Sequence, residues 1–136
     1  MHTTNYANTF IVVAEDSAAD CGVAPPEKAE NPSIASRTWR MIAERPYRYT
    51  SDDVIFTVWA DRQGIPEDER DAARAEFFNK GQPCLRASDL GKKYGWGIHH
   101  DANGRVALYE VGSEQYGALV ERDDVTVVKA MRSSRR

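Results

Sequence analysis

Two runs of alternating side chains, 96–100 (W-G-I-H-H) and 105–110 (R-V-A-L-Y-E), face each other across the four residues D-A-N-G at 101–104. An N-G pair closing a short link between such runs is a strong local hairpin signal, because the glycine supplies the left-handed backbone that a type I turn with a bulge demands. The spacing predicts that Asp101 pairs with Arg105. With that register fixed, the two-residue period of a strand puts Trp96, Ile98, His100, Val106 and Leu108 on one face. Gly97, His99, Ala107 and Tyr109 take the other. The first face reads as the core face, with His100 at its edge and His99 on the solvent side. Gly97 falls opposite Tyr109, where a missing side chain leaves room for the ring.

The rest of the chain supplies what a hairpin needs in order to be buried. The run 8–14 (N-T-F-I-V-V-A) is β-branched, aromatic and apolar on both alternating faces, the pattern of an interior strand. From about 15 to 31 the sequence loses periodicity and gains paired prolines, which predicts a mobile loop containing Cys21. A first helix is expected from Asn31 as cap and Pro32 in its first turn, with Ile34, Thr38, Met41 and Ile42 on one face and Pro46 ending it. In R-P-Y-R-Y-T the two tyrosines read as anchors, rings inward and hydroxyls wet, in preference to a stacking surface for bases. Ser51, with Asp52 and Asp53 in the first turn, opens a second helix whose stripe is Val54, Ile55, Val58 and Trp59, and Gly64 closes it. A third runs from Pro66, weighted by Phe77 and Phe78, with Lys80 in its last turn and Gly81 as its stop. Ser88 caps a short helix ended by Gly95, Ser113 starts another, and 125–131 (V-T-V-V-K-A-M) is the final strand. Strands at both ends of the chain with helices between them predict an α+β fold. The expected architecture is a single domain, residues 1–136, with an about four-stranded, mainly antiparallel sheet and helices packed on one face.

Size and charge narrow the function classes. A chain of 136 residues, 41% apolar and 29% charged, has the composition of one ordinary globular domain. A net charge of −3 argues against a protein that coats nucleic acid. The basic tail 132–136 (R-S-S-R-R) reads as a frayed, solvated end. No run is greasy enough to span a bilayer, and the polar start M-H-T-T-N-Y lacks the pattern of an export signal, so the expectation is a cytoplasmic protein with two free thiols.

The string 80–99 (K-G-Q-P-C-L-R-A-S-D-L-G-K-K-Y-G-W-G-I-H), continued by G-R-V-A-L-Y, resembles the signature of a family of small bacterial and fungal proteins known only as a domain of unknown function. N-T-F-I near the start and Y-R-Y-T-S-D-D-V-I-F in the middle extend the resemblance over nearly the whole chain. It implies one domain and brings no activity, cofactor or substrate with it.

Chemistry is therefore read from the residues, and three arrangements compete. Cys84 precedes a capped helix and stands near Arg86, so a cysteine nucleophile with His99 or His100 as base is one reading. The spacing matches no known nucleophile motif, and a packed thiol is the plainer role. Neighbouring His99 and His100 point to opposite faces of a strand and cannot share a metal with each other, and His2 adds little. No metal or cofactor is expected. The favoured reading is a binding module for a small molecule, peptide or protein partner, using the surface around 84–109. Arg86, Ser88, Lys92, Tyr94, Trp96 and Tyr109 are its contact residues, since aromatic and arginine side chains carry binding energy and flanking glycines admit a partner to the backbone.

Overall fold

The computed structural model describes residues 1–27 and 30–133. The elements in order are β1 (Thr9–Val12), α1 (Ile34–Glu44), α2 (Ser51–Gln63), a 3₁₀ turn (Glu67–Glu69) leading into α3 (Arg70–Phe77), a 3₁₀ turn (Leu85–Ala87), α4 (Asp89–Lys92), β2 (Trp96–His100), β3 (Val106–Glu110), α5 (Glu114–Glu121) and β4 (Thr126–Lys129). They form a single α+β domain around one four-stranded sheet of order β3-β2-β1-β4. The hairpin has the predicted register: Asp101 N–H donates to the Arg105 carbonyl at 2.9 Å, and Ile98 lies opposite Leu108. Gly104, at φ +79°, provides the left-handed step. β1 runs antiparallel to β2 and parallel to β4, making the sheet mixed.

β1 is apolar on both faces because both faces are covered. Ile11 joins Ile42 of α1, Val54 and Val58 of α2, and Ile98 and Val106 of the hairpin in the larger core. Phe10 looks the other way and packs with Leu119, Val125, Tyr109 and Tyr116. α1 and α2 thus lie on the Ile11 face, while α5 covers the Phe10 face. That cover overturns two expectations. His99 is buried rather than solvent-facing, with 6% of its surface exposed. Gly97 makes room not for Tyr109 but for Phe10 and Tyr116: a Cβ there would stand 2.5 Å from Phe10 Cζ and 2.7 Å from Tyr116 Cε2.

Helix starts and stops follow local hydrogen bonding. Ser33, two residues after the expected cap, accepts from Ser36 N–H at 3.1 Å and begins α1. Ile34, expected on the buried face, is therefore turned outward. Thr50, not Ser51, caps α2 in a reciprocal box: Asp53 N–H donates to Thr50 Oγ1 and Thr50 N–H to the Asp53 carboxylate. Burial works to raise the Asp53 pKa, but those amide bonds and Arg74 outweigh it and hold the carboxyl below its ordinary value. Asp52 is no cap. Its buried carboxylate accepts from Thr3 Oγ1, Thr4 N and Thr4 Oγ1 at 2.6–2.7 Å and fastens the N-terminal segment to α2. α2 buries Val54, Phe56, Val58 and Ala60 because it sits between two clusters, leaving Ile55 and Trp59 half-exposed. Gly64 closes it at φ +68°. α3 stops at Phe77, before Lys80 and Gly81, where the Gln82 amide donates to the Phe77 carbonyl at 2.8 Å. Ser88 caps α4 as expected.

Residues 15–27 form neither helix nor strand, yet they have contacts. Val23 N–H donates to the Tyr94 carbonyl, and the Trp96 indole N–H donates to the Val23 carbonyl, each at 2.9 Å. Residues 28–29 of the loop expected to be mobile, and 134–136 of the basic tail, lie outside the described residues. Among the described residues, no helix is long and apolar enough to cross a membrane.

Candidate functional site

α1, α2 and the end of α3 leave a cleft where their faces diverge, and the 82–88 segment closes its remaining side. The cavity is about 370 Å³, within the range of small-molecule sites. Its walls are mainly apolar: Ile55, Val58 and Trp59 from α2, Phe77 from α3, Pro83 and Leu85 from the closing segment. The polar groups are few, with Thr38, Arg62, Gln82, Cys84 and Ser88 among them. Thr38 is spent on its own helix, its hydroxyl donating to the Ile34 carbonyl. Trp59 and Phe77, ring centroids 4.8 Å apart, separate the cleft from a second depression of about 500 Å³ lined also by Ile65, Ala73, Glu76 and Lys80.

Two of the sequence-nominated residues, Cys84 and Ser88, line this cleft. The half-buried Cys84 sulfur lies 3.4 Å from the Tyr6 hydroxyl. That bond, and then burial, raise the Tyr6 pKa. Tyr6 in turn meets His100 edge-on, centroids 5.3 Å apart, so its ring stands between thiol and imidazole. His100 is fully enclosed. Neither ring nitrogen has a hydrogen-bond partner, and burial lowers its pKa to about 4, the nearby carbonyls of Ile98 and Thr9 offsetting only part of that.

The other nominated residues are scattered. Arg86 donates Nε–H to the Lys129 carbonyl at 2.7 Å and accepts from Met131 N–H, which ties it to the end of β4. Lys92 ends α4. Tyr94 receives the 15–27 loop through its carbonyl. Trp96 lies against that loop and faces Trp39 at 6.4 Å. His99 and Tyr109 are on the far side of the sheet, together with a residue that sequence reading missed. Tyr47 Oη lies 2.8 Å from His99 Nδ1 and 2.7 Å from Tyr109 Oη. Its hydroxyl is not wet, contrary to expectation, because the 45–49 link wraps the free edge of β3 and Tyr47 N–H donates to the Val106 carbonyl. Tyr47 holds a left-handed backbone at φ +59°, strained for a side chain of this size. Burial, and then the Tyr109 bond, push its pKa up. Burial and the Arg122 charge push that of His99 down. The Tyr47 hydroxyl thus bridges the His99 imidazole and the Tyr109 hydroxyl, and the three groups satisfy one another. The local hint was the proline before Tyr47, which marks a turn; the partners were set by tertiary packing.

Among the described residues, no three or more His, Cys, Asp and Glu side chains are grouped to hold a metal ion. No curated protein and no solved structure shows significant similarity to the chain. The sequence does match, over residues 1–136, the model of a family of unknown function (DUF6157), and the chain belongs to that family.

Proposed function

We propose that this domain is a binding module whose site is the cleft between α1, α2, α3 and the 82–88 segment, and whose ligand is a small organic molecule. The observation that carries the reading is a mainly apolar cavity of about 370 Å³ with a few polar groups in its walls. In this reading Ser88 contacts the ligand, as the sequence suggested, and Cys84, read from the sequence as a candidate nucleophile, is a second contact. Trp59, Ile55 and Phe77 do the work assigned beforehand to Trp96, Tyr94 and Tyr109, while Arg86 and Lys92 serve the fold. Shift mapping of the folded protein against a fragment library tests it. Perturbations are expected at Thr38, Ile55, Trp59, Phe77 and Cys84, and a set clustered elsewhere overturns it.

The enzyme alternative keeps Cys84 as nucleophile. Its support is the position of the thiol in the cleft wall. A base is harder to find: the sulfur's partner is a tyrosine hydroxyl, His100 lies behind that ring, and His99 is on the opposite face of the sheet. Alkylation of a Cys21→Ser variant at pH 7 separates the two. Binding alone predicts slow reaction, and a rate above that of the unfolded chain favours catalysis.

A further inference from the structure

Arg62, in the cleft wall, meets Arg37, which lines the adjoining depression with Glu44 and Asp61, at a shared carbonyl. Arg62 Nη1 and Arg37 Nε both donate to the Pro32 carbonyl, at 3.4 and 3.0 Å. Two guanidinium groups therefore converge on one neutral oxygen, with no carboxylate between them. The neighbouring arginines are different: Arg40 pairs with Glu27, Arg70 with Asp61 and Arg74 with Asp53. Among the described residues Arg37 and Arg62 have no carboxylate partner. Beside them Ile34, also in the cleft wall, is 60% exposed. An apolar side chain left in water next to two unpaired cations is the surface complement of a molecule with a greasy body and an anionic end. Guanidinium groups also suit a carboxylate, whose two oxygens match their forked donors.

We infer that the ligand class is a small amphiphilic carboxylate, its apolar body in the cleft against Trp59 and its carboxylate on Arg62 and Arg37. This rests on the cleft being the binding site, and the test separates the two claims. Decanoate and decan-1-ol, below their aggregation limits, share an apolar body and differ in the charge of the head. Calorimetric titration of the full chain should show decanoate binding at least tenfold tighter than decanol, with the preference falling several-fold in Arg62→Gln and vanishing in the Arg37→Gln/Arg62→Gln pair. Decanol binding should survive both changes. Ala87→Phe, which narrows the cleft from its wall, should weaken both ligands while leaving the circular dichroism spectrum unchanged. Equal affinities for the two probes, or a preference for decanoate that outlasts loss of both arginines, overturns the carboxylate assignment and leaves the cleft standing. Failure of both probes to bind the native chain removes the assignment and the site together.

Discussion

Burying an imidazole whose nitrogens lack well-formed hydrogen bonds destabilises the fold, because the group exchanges water for weaker polar contacts. His100 does this in the larger core, and its pKa of about 4 records the cost of charging it there. In the unfolded chain the ring titrates near its ordinary value, about 6.5. Between those two values the unfolded state binds a proton that the folded state refuses, so stability falls as pH drops from about 6.5 toward 4, by up to about 1.4 kcal/mol per pH unit. His99, also shifted downward by burial and Arg122, acts in the same direction. His100→Leu removes the larger contribution and strands no polar partner. Its urea midpoint is expected to equal or exceed that of the native chain at pH 7 and to decline less between pH 6.5 and 4.5; parallel declines would show that His100 is not the group responsible. Gly97 sets the opposite limit. A methyl at 97 meets the Phe10 ring at 2.5 Å, and Phe10 is wholly enclosed and has nowhere to retreat. Gly97→Ala should cost about 1–3 kcal/mol by chemical denaturation, the range for overpacking a filled core. A silent substitution would mean that α5 lifts from the sheet more easily than its packing on Phe10 implies.

Elements join through side chains whose partners lie far away along the chain. The Asp52 carboxylate is the example: it begins a helix, as its sequence position suggests, but its oxygens receive the buried hydroxyl and amide of Thr4 and the hydroxyl of Thr3. Asp52→Ala should destabilise by about 2–3 kcal/mol, because the buried Thr4 N–H loses its acceptor and the Thr4 hydroxyl is left with Ser51 Oγ alone. The same change should raise amide exchange at residues 2–5 ahead of the rest of the fold. Thr50→Ala, which removes only the cap of α2, should cost about 1 kcal/mol and leave exchange at the N-terminal segment as it was. This pair of residues also marks what was readable beforehand. The Ser88 and Ser113 caps, the Gly64 stop and the D-A-N-G turn were legible because each depends on residues within four positions of one another, whereas the caps of α1 and α2 fell one or two residues from where they were expected. Asp52 and Tyr47 were not, because an acid at a helix start and a tyrosine after a proline are satisfied locally in most chains, and nothing nearby names Thr4 or His99. The cleft was half legible. Cys84 and Ser88 stood out in their own segment, whereas Ile55, Trp59 and Phe77 looked like ordinary core stripe until α2 was seen to bury its other faces.

At the scale of the molecule, the sheet is a closure of the two ends of the chain on a hairpin formed in between. β1 is central, and its partners β2 and β4 come from the later half of the sequence. The parallel pairing with β4 was beyond sequence reading, since register between distant strands is decided by what each face must bury, and both faces of β1 are buried. The free edges are short. Tyr47 and Tyr49 bond to Val106 on the outer side of β3, and Arg86 occupies the outer side of β4 at Lys129 and Met131, so neither edge offers a long run for another chain to extend. β4 brings Val125 to the Phe10 cluster and Val128 and Ala130 to the Ile11 cluster, and Lys129 and Arg132 pair with Glu15. A chain ending at Glu121 therefore loses material from both cores and leaves a central strand with an open edge. That loss is comparable to the whole stability of a small domain, about 5–15 kcal/mol. A chain ending at Ser133 keeps every one of those contacts and sheds only Ser134, Arg135 and Arg136, none of them an apolar residue. Thermal melts followed by far-ultraviolet circular dichroism are expected to show no cooperative transition for the first truncation and a midpoint within about 2 °C of the native chain for the second, as for a surface change of roughly 0.5 kcal/mol. A cooperative transition in the shorter chain would mean that β1, β2, β3 and the helices hold together without their last strand, and that the two-sided burial of β1 is not what fixes the fold.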